Sequence, residues 1–77
     1  PTSSFQFFQY ALDIVYEKTI IHYYEILSEE KINQRIDFLK NIANKMNTIL
    51  DAIDIKKIKS YSPHEFYICF DITAKRN

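Results

Sequence analysis

Between Ile32 and Ile53, apolar residues recur at Ile32, Ile36, Leu39, Ala43, Met46, Leu50 and Ile53 in steps of four and three. Phe38, Ile42 and Ile49 broaden this seam, and Asn33, Asp37, Lys40, Asn41, Asn44, Thr48 and Asp51 fill the other side. That period predicts an amphipathic helix over about residues 29–54. The stretch before it also reads as helical, over about residues 5–27. Its main stripe is Phe5, Phe8, Leu12, Val15, Tyr16, Thr19, Ile20, Tyr23, Ile26 and Leu27. A second stripe of Phe7, Tyr10, Ile14 and Ile21 lies on roughly the opposite side.

The two seams are out of phase, because extending the second one backwards meets Glu29, Glu25, His22 and Lys18. A break near Ser28 follows, with Ser28 as an N-cap and Glu29 and Glu30 at the positive end of the helix dipole. A single helix with a local stutter is the alternative. Ser3 or Ser4 is expected to cap the first helix.

The period changes after Asp54. Ser62-Pro63-His64-Glu65 reads as a turn, and Phe66, Ile68, Phe70 and Ile72 then alternate with Tyr67, Cys69, Asp71 and Thr73. A β element is predicted over about 56–73, with residues 55–61 as the pairing strand and Ile58 near Ile68. A frayed basic tail follows over 74–77. The expected fold is mainly α with a small β element: an antiparallel helical hairpin, then a short strand or β-hairpin. Dimerisation or a partner would complete it as a four-helix bundle.

Length sharpens this expectation. A single small domain of 77 residues buries only about 60% of its unfolded surface and needs support. Cys69 is the only cysteine, which excludes an intrachain disulfide and a cysteine-rich zinc site. A partner subunit is the remaining support. Phe7, Tyr10, Ile14 and Ile21, with Arg35 and the strand residues Phe66, Ile68 and Phe70, are the candidate partner interface. The absence of glycine excludes Gly-rich phosphate loops.

Net charge is zero but unevenly spread: −2 over residues 1–27 (three acids, one base), −1 over 28–54 (five acids, four bases) and +3 over 55–77 (five bases, two acids). Lys56, Lys57, Lys59, Tyr61 and Arg76 form a small basic and aromatic set that could contact nucleic acid. No signal peptide or membrane-spanning run is read in the chain, and a reducing, cytoplasmic-type compartment is the expectation.

Candidate chemistry is thin. His22 and Glu25 form an H-x-x-E pair that reads more simply as a helix-edge contact than as a metal site. Asp51 and Asp54 read as solvated groups. Cys69 has only His64 near it in sequence as a base and reads as a structural thiol. Pro1 offers a secondary amine but precedes a helical pattern. Arg35 reads as half of an ion pair, with Glu25 as its partner. No cofactor or metal is expected. The functional expectation is a non-enzymatic protein interaction module, a small regulator, inhibitor or complex subunit. The alternative is a small nucleic-acid-binding regulator.

Overall fold

The computed structural model describes residues 4–13 and 17–77. Helix α1 covers Ser4–Asp13 and strand β1 covers Lys18–Ser28. A 3-10 turn, Glu29–Lys31, leads into helix α2, Ile32–Lys45, and strands β2, Thr48–Ser62, and β3, Glu65–Arg76, complete the chain. The strands form one antiparallel sheet in the order β1-β3-β2. This is a three-stranded sheet with two short helices, so the helical hairpin and the four-helix bundle are both corrected.

The correction has a local physical cause in each half. Residues 18–28 hold Thr19, Ile20, Ile21, Tyr23, Tyr24 and Ile26, β-branched and aromatic side chains that fit a pleated surface. Their register against β3 pairs Ile21 with Ile72, Tyr23 with Phe70 and Leu27 with Phe66, one residue in two facing the core. The expected single helix over 5–27 is therefore a ten-residue helix followed by a strand. Ser28 does precede the next helical turn, in extended conformation (φ −74°, ψ 150°), but its side chain makes no capping bond.

The second predicted helix, expected to run to about residue 54, ends nine residues early at Lys45. Met46 and Asn47 close α2 through Met46 N–H to Ala43 O (2.9 Å) and Asn47 N–H to Asn44 O (3.2 Å). Asn47 then takes a left-handed conformation (φ 54°), which Asn tolerates better than a branched residue. Thr48 starts β2, its hydroxyl donating to Met46 O (3.1 Å). At the other end of β2, Pro63 and His64 lie between Ser62 and Glu65, which are paired in register and joined by the Ser62 hydroxyl donating to the Glu65 carboxylate (2.9 Å).

Both helices lie on one face of the sheet. Phe8 and Leu12 from α1 and Leu39, Ile42 and Ala43 from α2 pack with Ile21, Tyr23, Ile68, Phe70, Ile72 and Ala74 in one buried cluster. Rings meet edge to face within and between the layers: Phe8 to Tyr23 joins helix to sheet at 5.7 Å, Tyr23 to Phe70 links neighbouring strands at 5.7 Å, and Phe5 to Phe38 links the helices at 5.6 Å. One polar group is built into this layer. Tyr23 donates to Glu25 (2.8 Å), which also meets Arg35 (2.9 Å). Burial, and then the neighbouring Glu25 carboxylate, push the Tyr23 phenol well above its ordinary range. No described helix is long and apolar enough to cross a membrane.

Candidate functional site on the open face of the sheet

The face turned away from the helices carries the chemistry. A strand sends alternate side chains to opposite faces. Ile20, His22, Tyr24 and Ile26 of β1 therefore share this face with Tyr67, Cys69, Asp71 and Thr73 of β3, to which they are paired in register. On β2, Lys56 pairs with Cys69, Asp54 with Asp71 and Lys59 with Tyr67.

Asp71 is the hub. Its Oδ1 lies 2.6 Å from His22 Nδ1 and accepts from the Cys69 thiol at 3.2 Å, while its Oδ2 lies 3.0 Å from Lys56 Nζ. The hydrogen bond from His22, then those from Lys56 and Cys69, hold the Asp71 carboxyl well below the ordinary carboxylate range. The same contact raises Lys56. Burial, and then the bond to Asp71, push the Cys69 thiol up, so it is held as a thiol. Tyr24 is raised by its hydrogen bond with Cys69.

Two shallow depressions flank this network. One, of about 490 Å³, is lined by Ile20, His22, Ala52, Asp54, Asp71 and Thr73 among others. The other, of about 460 Å³, is lined by Tyr24, Ile58, Lys59 and Tyr67. A third of about 520 Å³ lies beside the β2–β3 turn, against Pro63, His64 and Phe66.

The depressed Asp71 makes a pH prediction. A group whose folded pKa is lowered stabilises the fold above its unfolded value, about 3.9 for Asp, and loses that contribution as pH falls below it. The groups facing it are His22, Lys56, Cys69 and Asp54. Urea midpoints measured from about pH 5 to about pH 2 should fall steeply in the parent and less steeply in Asp71→Asn. Identical slopes would show that this network does not couple to folding.

The residues singled out from sequence are scattered by the fold. Phe7 and Tyr10 stand exposed on α1, 59% and 66% accessible, whereas Ile21, Ile68 and Phe70 are consumed by the protein's own core and Phe66 is half-buried at its margin. Ile14, Pro1 and Ser3 lie outside the described residues. Arg35 meets Glu25 and covers the Phe38 ring at 5.0 Å. Lys56 is committed to Asp71, and Lys57 to Glu29 and to the Phe66 ring at 4.7 Å. Arg76 donates to Met46 O (2.9 Å) and Leu12 O (3.4 Å). Of the basic and aromatic set, Lys59 and Tyr61 face outward, with Lys59 6.0 Å from the Tyr67 ring.

The H-x-x-E pair does not exist as a unit. Three residues along a strand place His22 on the open face and Glu25 under α2. Asp51 and Asp54 belong to β2 rather than to a helix end, and Asp51 lies 3.7 Å from Lys75. The imidazole that shares the Asp71 carboxylate with the Cys69 thiol is His22, not His64. Reading 18–28 as a strand paired with 65–75 would have exposed this, since His22 falls directly opposite Asp71.

No family model and no curated protein matches the sequence at a significant level. Two solved structures share the fold. TYW2 of M. jannaschii, solved in complex with AdoMet, is 27% identical with a TM-score of 0.84, over 94% of this chain and 33% of its own. A provisionally assigned transferase of Pyrococcus horikoshii is 21% identical with a TM-score of 0.68, over 79% of this chain and 24% of its own. The chain therefore spans about a third or less of the proteins it resembles. These likenesses correct the expectation of a chain unrelated to enzymes: its fold is one built into an AdoMet-bound protein and an assigned transferase.

Proposed function

We propose that this chain is the substrate-docking part of an AdoMet-dependent transferase. One observation carries the reading: 94% of the chain superposes at 27% identity on a protein solved with AdoMet. The described residues do not themselves form a cradle for that cofactor. The chain has no glycine, its sheet is wholly antiparallel, and no strand feeds a helix N-terminus through a Gly-rich turn. The role left to this chain is to hold and orient what the transferase acts on. A reducing, cytoplasmic setting suits the free thiol of Cys69. Equilibrium dialysis against labelled AdoMet, using the protein in the form its own cell makes, tests the reading. Stoichiometric binding supports it, and no binding at millimolar AdoMet overturns it.

A second reading concerns what is docked. Tyr24, Tyr67 and Lys59 line one depression on the open face, and Tyr61 stands 62% exposed beyond it on β2. Aromatic rings beside an ammonium group suit a single-stranded nucleic acid, because each base can stack and each phosphate adds a salt-dependent attraction. Loss of one stacking ring costs about 1–3 kcal/mol in such sites. Tyr67→Ala and Tyr61→Ala should each weaken binding of a labelled single-stranded oligonucleotide, and Lys59→Ala should flatten its salt dependence. Binding indifferent to both Tyr substitutions rejects this surface.

A further inference from the structure

We propose that His22, Cys69 and Asp71 form a binding site for a single divalent transition metal ion of the zinc type, on the open face of the sheet. The three residues offer an imidazole nitrogen, a sulfur and a carboxylate oxygen, all within 4.8 Å of one another. That mixed donor set suits zinc and its neighbours and does not suit magnesium or calcium, which take oxygen.

The sheet fixes the arrangement. His22 and Asp71 are directly opposed across β1 and β3, and Cys69 is two residues from Asp71 on the same face. Metal bonds of about 2.0–2.3 Å in a tetrahedron place neighbouring donors roughly 3.3–3.7 Å apart. The present separations of 2.6 Å (His22 to Asp71) and 3.2 Å (Cys69 to Asp71) bracket that range from below, and the 4.8 Å limit brackets it from above.

The two carboxylate oxygens are already divided between roles. Oδ1 is the atom on which His22 and Cys69 converge, whereas Oδ2 is held by Lys56. A metal taking Oδ1 would keep Lys56 as an outer partner that orients the carboxylate. Cys69 is buried and forms the floor, while the His22 side chain is 59% accessible and leaves the site open from solvent. Three protein donors leave a fourth position free. On binding, the Cys69 thiol gives its proton to solvent and the sulfur donates its electron pair to the metal.

Titration of the purified protein with Co²⁺, followed by displacement with Zn²⁺, decides the matter. One equivalent of Co²⁺ should produce a thiolate-to-metal charge-transfer band that Zn²⁺ abolishes. Cys69→Ser should remove the band, and His22→Ala should weaken Zn²⁺ binding at least about tenfold. His22 is exposed, so its substitution tests the site even if Cys69→Ser perturbs the fold. Absence of the band in the parent, or Zn²⁺ affinity unchanged in His22→Ala, overturns the site and leaves a plain hydrogen-bond network.

Discussion

Phe70→Ala is expected to leave the protein largely unfolded at room temperature. Phe70 is completely buried in the central strand, opposite Tyr23 on β1 and Ile55 on β2. Its ring meets that of Tyr23 at 5.7 Å, and Tyr23 in turn meets Phe8 of α1, so this side chain links β3 through β1 to the helical layer. Removing a buried Phe costs about 3–5 kcal/mol, because the surrounding layer cannot collapse onto the void. A chain of this size has roughly 5 kcal/mol to lose, near the bottom of the usual range. Phe70→Leu, which keeps most of the volume, should cost under about 1.5 kcal/mol. The exposed control Tyr61→Ala should stay within about 0.5 kcal/mol. Urea unfolding followed by circular dichroism measures all three. If Phe70→Ala were as stable as Tyr61→Ala, the core would not be centred on β3.

That core was only half legible in the sequence. β3 declared itself because Phe66, Ile68, Phe70 and Ile72 keep a strict period of two facing the helices, and Pro63 marks the turn before it. β2 concealed itself through irregular pairing. Its register slips between Leu50 and Ala52, so Leu50 and Ile53, three residues apart, pair with Ala74 and Ile72 on the buried side. A bulge thus gives a strand the spacing of a helical seam, and the seam from Met46 to Ile53 continues that of α2 with no break in phase. The stop signal was Asn47 alone.

β1 was hidden differently. Ile20, Tyr24 and Ile26 are apolar on the open face, while Glu25 is polar on the buried one. Alternation fails in both directions, and a period of 3.6 fits the remainder as well as a period of two. Glu25 tolerates its position only because Tyr23 and Arg35 satisfy its two oxygens, a tertiary fact that no local pattern carries. The Asp71 network was invisible for the same reason. Its members come from three strands, and only the sheet order brings His22, 49 residues away, onto the Asp71 carboxylate.

The docking of α1 gives the second large effect, and it differs in kind from that of Phe70. Phe8→Ala should release α1 from the sheet while β1, β2 and β3 stay paired. The helix is held by Phe8 and Leu12, both completely buried, with Phe5 against Phe38 at its edge. Phe7 and Tyr10 face outward and hold nothing in the core. Ten residues are too few for a helix to persist alone in water, so α1 exists only while docked. Removing the Phe8 ring would cost up to about 3–5 kcal/mol if α1 stayed in place. Detachment caps that loss at the free energy of docking, after which Leu12 has no native contacts left to lose. Leu12→Ala added to Phe8→Ala should therefore fall short of additivity by about 1 kcal/mol or more. Amide exchange in residues 5–13 should become unprotected while the β3 amides stay slow. Full additivity, with α1 still protected in the double variant, would instead mean that helix and sheet unfold as one unit.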